Sequence, residues 1–122
     1  MEQESKNKIE FIIAERKRAQ YKLNLNSNIM KEYDKVTTSG FYDGQINRLN
    51  KELIALGISI ITACESCMQW HIAEAIAHGA TEKQLYEVIE VSIAMAGSRM
   101  EVNTRFAIAV IEYYKEKGEL TK

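Results

Sequence analysis

The chain has no proline among its 122 residues, and it has only two cysteines, two histidines and one tryptophan. Proline interrupts helices more strongly than any other residue, so its absence is compatible with helices throughout the chain. The formal net charge is −1, so no excess of basic residues indicates a nucleic acid or an acidic membrane surface as a partner. The longest nearly uncharged run, residues 53–64, is too short to span a bilayer.

The first residues, MEQESKNKIEF, are mostly polar or charged and do not resemble the apolar stretch of a signal peptide. We therefore expect a cytoplasmic protein. In that reducing compartment a CxxC pair is more often catalytic or metal-binding than a structural disulfide.

The spacing of apolar residues is helical throughout, and no stretch alternates with a period of two for the length of a strand. The length fits a single domain, residues 1–122, and no linker or internal repeat divides it. We predict an all-α fold of about six helices, with residues 1–40 as a helical N-terminal extension that packs in an oligomer. The expected helices run from about residue 6 to 23, 28 to 39, 48 to 62, 63 or 65 to 78, 82 to 95 and 100 to 117.

Local signals mark several of these boundaries. Asn47 is a plausible N-cap for the third helix, and Gly40 is a stop signal for the second. Thr81 and Gln84 have the spacing of a capping box at the start of the fifth helix. The third helix is apolar nearly all round over residues 53–61, which predicts that it is buried on most faces.

The segment CESCMQWH places both cysteines three positions apart, with a histidine four residues after the second. On a helix, Cys64, Cys67 and His71 fall within roughly 60° of one another, on a single face. In one unbroken helix Glu52 would lie roughly 18 Å from Cys64. If the chain instead reverses near residues 61–64, the antiparallel helices bring Glu52 level with His71.

This set of side chains suits thiol chemistry. Only the thiolate of a cysteine attacks, and a free thiol with a pKa of about 8.5 is mostly protonated at neutral pH. A neighbouring histidine can take the proton, and a carboxylate behind it orients the ring and stabilises its charged form. A second thiol can trap the sulfenic acid formed by a peroxide as a disulfide.

Other readings of the same residues exist. The cysteines could be small buried hydrophobes, or Cys64, Cys67, His71 and Glu52 could ligate zinc, although structural zinc usually takes a second Cys/His pair from elsewhere. Covalent haem attachment is excluded because Met68, not histidine, follows Cys67. We expect neither a cofactor nor a metal.

The spacing E-x11-C-x2-C-x3-H, carried by Glu52, Cys64, Cys67 and His71, resembles the signature of AhpD-like alkylhydroperoxidases in the carboxymuconolactone decarboxylase superfamily. The resemblance runs from about residue 44 to 114. It implies an all-helical fold with a central helix hairpin carrying the CxxC, and a homo-oligomer, often a trimer or hexamer. It also implies reduction of small hydroperoxides through a CxxC disulfide cycle, with these four residues as the catalytic set.

The chain departs from that family at one position. The best-studied members carry a histidine just before the second cysteine, where this chain has Ser66. A hydroxyl can pass a hydrogen bond but is not a base near pH 7, which predicts a shorter relay with a lower rate, or a different electron donor. Cys67 lies nearer His71 and is assigned the attack on peroxide, with Cys64 resolving. The order would be reversed if the cysteine nearer the helix start were the stronger nucleophile.

The expected partners are a small hydroperoxide and a reductant, either a dithiol or a thioredoxin-like or lipoamide-type donor. Two other functions stay open. One is a decarboxylase-like lyase acting on a small lactone acid, and the other is a non-catalytic oligomeric module whose CxxC senses redox state. We expect Trp70 in the core or at a subunit interface, and His78 at a helix end, where it favours the helix dipole.

Overall fold

The fold is all-α, as the sequence predicts. The computed structural model describes residues 1–120 and contains, over that range, six α-helices and one short 3₁₀ turn. In chain order they are α1 (Gln3–Asn26), α2 (Ile29–Phe41), α3 (Arg48–Ile61), α4 (Glu65–Ala77), α5 (Glu82–Ala96), the 3₁₀ turn (Ser98–Met100) and α6 (Glu101–Glu116).

The predicted caps are largely confirmed. The side chain of Asn47 accepts a hydrogen bond from the Asn50 backbone N–H, and Thr81 and Gln84 form both bonds of a capping box. The stop signal at Gly40 was wrong, because α2 continues through Gly40 to Phe41. Space is not limiting there, since a Cβ at Gly40 would meet nothing within 4 Å.

The hydrophobic core lies between α3, α4, α5 and α6, and α1 contributes one fully buried residue, Ile9. Residues 17–26 of α1 are all exposed, so the buried and half-buried residues of this helix lie in its first part. Packing of residues 1–40 in an oligomer stays a prediction. The largest buried core side chains of the four central helices include Leu56, Ile60, Met68, Ile72, Leu85, Phe106, Val110 and Ile111.

The prediction that α3 is buried on most faces is confirmed, since this helix is buried or half-buried everywhere except along one exposed face. Ile54, Ile58 and Ile61 are 51%, 60% and 44% exposed. With Val91 and Met95 of α5 they line a shallow groove of about 660 Å³. We call this feature the α3–α5 groove. An apolar surface all round a helix predicts that other residues cover it, but it does not indicate whether those residues belong to the same chain.

The reversal between α3 and α4 takes only residues 62–64 and ends α3 in a Schellman motif. The Ala63 N–H donates to the Ile60 carbonyl at 3.1 Å, and the Cys64 N–H donates to the Ser59 carbonyl at 3.0 Å. Ala63 has a φ of 55°, in the left-handed region that glycine usually fills at this position. The turn holds the start of α4, and with it the CxxC, at one end of the hairpin.

No helix among residues 1–120 combines the length and the apolar character that crossing a bilayer requires.

Candidate active site

Both cysteines lie at the N-terminus of α4. Cys64 is the N-cap residue, and its Sγ accepts a hydrogen bond of 3.2 Å from the Cys67 backbone N–H. The two side chains form a disulfide across a Cα–Cα distance of 5.2 Å. A helix N-terminus favours negative charge, so the α4 backbone stabilises a thiolate at this position once the disulfide is reduced.

The antiparallel hairpin brings Glu52 of α3 against His71 of α4. A Glu52 Oε1 to His71 Nδ1 hydrogen bond of 2.7 Å joins residues that are 19 apart in sequence. The Glu52 side chain is only 1% exposed, whereas His71 is partly exposed. The predicted juxtaposition of these two residues is confirmed.

Arg48 is a third member of this charge network, and the sequence analysis missed it. Its Nε donates to Glu52 Oε2 at 2.7 Å, and its Nη2 donates to Glu74 Oε2 at 3.1 Å. Both oxygens of Glu52 are therefore occupied by donors, and a positive charge compensates the buried carboxylate. The available signal was the i, i+4 spacing of Arg48 and Glu52 on one helix.

Phe41, at the end of α2, stacks on the imidazole of His71. The ring centroids are 5.5 Å apart and the planes differ by 14°. The Arg48 guanidinium lies 5.8 Å from the same phenyl ring. No local sequence signal indicates this contact, because α2 and α4 meet only through the tertiary fold.

The exposed side of His71 faces a small cleft of about 230 Å³ between α4 and the α1–α2 segment. Cys67 lines the same cleft, and Cys64 does not. In the disulfide form no hydrogen bond joins His71 to Cys67 within the described residues. The cleft is lined by Arg16, Gln20, Met30, Tyr33, Asp34, Thr37, Ser66, Cys67, Trp70 and His71.

Trp70 forms part of this wall and is 43% exposed. The expectation that it belongs to the core was therefore wrong, because Trp70 lines the cleft between α4 and the α1–α2 segment. Its place at a subunit interface stays a prediction.

His78 ends α4 as predicted: it is the C-cap residue, and its Nδ1 lies 2.8 Å from the Glu74 carbonyl oxygen.

Ser66 makes its side-chain contact with Arg16 of α1 and not with His71. Arg16 Nη2 donates to the Ser66 carbonyl at 2.7 Å and to its hydroxyl at 3.0 Å. Arg16 Nη1 donates to Gln69 Oε1 at 2.5 Å, and the guanidinium lies 5.3 Å from the Trp70 ring centroid. Burial lowers the pKa of Arg16 from its ordinary value.

The geometry determines what His71 can do. A neutral imidazole has one N–H donor and one acceptor nitrogen. Because a carboxylate only accepts, the proton of neutral His71 lies on Nδ1, and Nε2 keeps its lone pair. His71 is thus prepared to take a proton at Nε2, and Glu52 stabilises the imidazolium that results.

No cluster of three or more His, Cys, Asp or Glu side chains in the described part of the chain is arranged to hold a metal ion.

Comparison with known families identifies this helical arrangement. The family model described as the carboxymuconolactone decarboxylase family matches residues 28–109, about two thirds of the chain. The chain belongs to the carboxymuconolactone decarboxylase family. The matched segment contains Glu52, Cys64, Cys67 and His71, and it excludes α1.

Two curated proteins are similar in sequence. An uncharacterized protein of Cupriavidus necator is 34% identical over 68 residues, which are 56% of this chain and 60% of that protein. A protein of Paracoccus denitrificans, uncharacterized protein 4 in the cox locus, is 32% identical over 72 residues, 59% of this chain and 65% of that protein. The matched region thus spans less than two thirds of the length of either relative.

Solved structures share the fold. A Thermotoga maritima protein superposes with a TM-score of 0.79 at 19% identity, covering 88% of this chain and 96% of that one. The apo form of a carboxymuconolactone decarboxylase family protein from Legionella pneumophila gives a TM-score of 0.78 at 21% identity, covering 90% and 96%. Both confirm the all-α architecture.

Proposed function

We propose that this chain is a thiol-dependent peroxidase that reduces small hydroperoxides through a dithiol–disulfide cycle of Cys64 and Cys67. The observation that carries the proposal is that Cys67, one of the two disulfide-bonded cysteines, and His71 line the same cleft. Buried Glu52 holds the His71 ring in place by a hydrogen bond. A redox-active pair beside a poised base is the arrangement that peroxide reduction by a thiol needs.

In the reduced protein, His71 Nε2 takes the proton of the Cys67 thiol. The thiolate attacks the distal oxygen of ROOH, the O–O bond breaks, and Cys67 becomes a sulfenic acid. The leaving alkoxide receives a proton from His71 and departs as ROH. The Cys64 thiol then attacks the sulfenic sulfur, which forms the disulfide and releases water.

A dithiol reductant closes the cycle by thiol–disulfide exchange, and it leaves as its own disulfide. The sum is one hydroperoxide and one dithiol converted to alcohol, water and a disulfide. A dithiol, a thioredoxin-like protein or a lipoamide-type donor can supply this step.

The assignment of Cys67 to the attack is supported by its place in the cleft beside His71, whereas Cys64 caps the helix outside that lining. A second crystal structure of the Thermotoga maritima protein compared above has a TM-score of 0.75 at 20% identity, and the match covers 88% of this chain and 95% of that one. It is described, with reservation, as a protein of the antioxidative response.

The test follows cumene hydroperoxide consumption by purified protein, with dithiothreitol as the dithiol donor. We expect Cys67→Ser to abolish consumption. Pre-reduced Cys64→Ser, freed of dithiothreitol before peroxide is added, should undergo a single turnover that leaves Cys67 as a sulfenic acid, which dimedone traps for mass spectrometry. Equal consumption by the native protein and Cys67→Ser would refute the proposal. A lyase acting on a small lactone acid would keep its activity in both serine variants.

We also propose that the chain acts as a homo-oligomer. The α3–α5 groove supports this, because it exposes a continuous apolar surface along two helices.

A further inference from the structure

Arg16 brings a positive charge into the cleft that no acidic side chain neutralises. Its guanidinium forms no ion pair within 4.0 Å among residues 1–120. Its three hydrogen bonds to the protein go to neutral oxygens of Ser66 and Gln69. A half-buried cation held only by neutral acceptors keeps most of its attraction for an anion.

Arg16 also has donors to spare. A guanidinium carries five N–H groups, and three hydrogen bonds to the protein use at most three of them. At least two N–H groups therefore remain for a ligand. The contacts to Ser66 and Gln69, with the Trp70 ring beside them, fix the guanidinium in place before any ligand arrives.

The other groups facing the cleft agree with an acidic ligand that has a short apolar body. Trp70 and Tyr33 provide aromatic walls, and Met30 a flexible apolar one. Asp34 is the one carboxylate in the lining; it is exposed and makes no ion pair within 4.0 Å in the described part of the chain. Glu52 lies behind His71 and is compensated by Arg48.

We propose that Arg16 forms an anion subsite that selects hydroperoxides carrying a carboxylate, holding the carboxylate near the cleft mouth while the peroxide group reaches Cys67. This inference rests on the proposed peroxidase function for its substrate, but the subsite itself can be tested without turnover. It also assigns a role to α1, which lies outside the segment shared with the family.

The binding test uses the fluorescence of Trp70, the chain's one tryptophan, which lies in the cleft. Hexanoate and the neutral hexanamide are titrated as probes of equal size. The titration is made on the disulfide form and again on protein reduced with dithiothreitol, which is neutral and does not compete for the cation. We expect hexanoate to bind about tenfold more tightly or better, the effect of a charge-assisted hydrogen bond.

Three variants separate charge recognition from a structural role. Arg16→Gln should remove the preference for hexanoate, and Arg16→Lys should keep part of it. Arg18→Gln is the matched control: it removes an exposed arginine of the same helix that pairs with Glu15, and it should leave the preference unchanged. Asp34→Asn should strengthen hexanoate binding by removing a repulsive charge.

Equal affinity for hexanoate and hexanamide in the native protein would overturn the inference, as would a preference absent from the reduced form. If Arg16→Gln and Arg16→Lys each lose affinity for hexanoate and for hexanamide to the same extent, Arg16 only holds α1 against α4.

A kinetic comparison keeps the two proposals apart. Cumene hydroperoxide is compared with its 4-carboxylate. The native protein should have a higher kcat/KM for the acid because its KM for the acid is lower. Failure to consume either peroxide contradicts the peroxidase function, while the binding test still decides the subsite. Equal kcat/KM for both peroxides contradicts the subsite and leaves the peroxidase function standing.

Discussion

Glu52→Gln is the most informative single change at the candidate site, because it alters the tautomer of His71 while keeping nearly the same shape. Arg48 can only donate hydrogen bonds, so the side-chain oxygen of the introduced glutamine turns toward Arg48 Nε, which in the native protein donates to Glu52 Oε2 at 2.7 Å. The amide NH₂ then faces His71 Nδ1. That nitrogen must accept, so the His71 proton moves to Nε2, the atom that should take the thiol proton.

The expected loss follows from that exchange. General base catalysis contributes about 10²–10⁴-fold to a rate, so kcat/KM for hydroperoxide at pH 7 should fall by about that factor. The free energy of unfolding should fall by about 1–3 kcal/mol, since the buried hydrogen bonds to Arg48 and His71 lose the carboxylate charge that strengthens them. Arg48 keeps its contact with Glu74, which limits the loss.

The assay is stopped-flow oxidation of pre-reduced protein between pH 6.5 and 9.5, on samples shown to be folded by circular dichroism. Above a pH of about 8.5 a cysteine thiol ionises without help, so the deficit of Glu52→Gln should shrink as the pH rises. A merely structural defect would not shrink in this way.

Glu74→Gln is the control, since it removes a carboxylate that contacts Arg48 but not His71. We expect its rate to stay within about threefold of the native rate. A Glu52→Gln rate within about threefold of native at pH 7, or a deficit that is the same at every pH, would refute this account of the site.

Two further predictions concern assembly and stability. Ile58→Asp places a charge in the α3–α5 groove and should lower the mass of the particle measured by light scattering. Val102→Asp is the control, at a similarly exposed position on α6, and should leave that mass unchanged. An unchanged mass in both variants would exclude the groove as the interface. Burial raises the pKa of Tyr114, whose hydroxyl oxygen accepts a hydrogen bond of 2.7 Å from Gln69 Nε2. The contribution of neutral Tyr114 to stability is therefore complete below a pH of about 10, and it is lost as the pH rises through the raised pKa. The free energy of unfolding from urea denaturation should therefore fall less between pH 9 and 11 in Tyr114→Phe than in the native protein. An equal fall in both proteins would show that ionisation of Tyr114 is not the cause.

The sequence predicted the helices well because their signals are local. Apolar spacing, the Asn47 cap and the capping box at Thr81 act within one or two turns of chain, and the structure reproduces them. The boundary at Gly40 was misplaced because a single glycine is a weak stop signal when its backbone can continue in helical geometry.

The sequence also predicted the meeting of Glu52 and His71, because one reversal of an antiparallel helix pair fixes which residues lie level. Their roles in catalysis, and those of the two cysteines, stay predictions. Arg48 carried a local signal, its i, i+4 spacing to Glu52, but that spacing alone does not tell a surface ion pair from one that compensates a buried carboxylate.

The cleft was decided by tertiary structure alone. Phe41 reaches His71 from α2, and Arg16 reaches Ser66 and Gln69 from α1, across 50 and 53 residues of sequence. Such contacts depend on how whole helices pack, and periodicity gives the apolar face of a helix without naming its neighbour. By itself the sequence thus determined the fold class and the candidate set of site residues, and the packing of α1 and α2 on α4 determined what surrounds them, because long-range contacts leave no trace in local spacing.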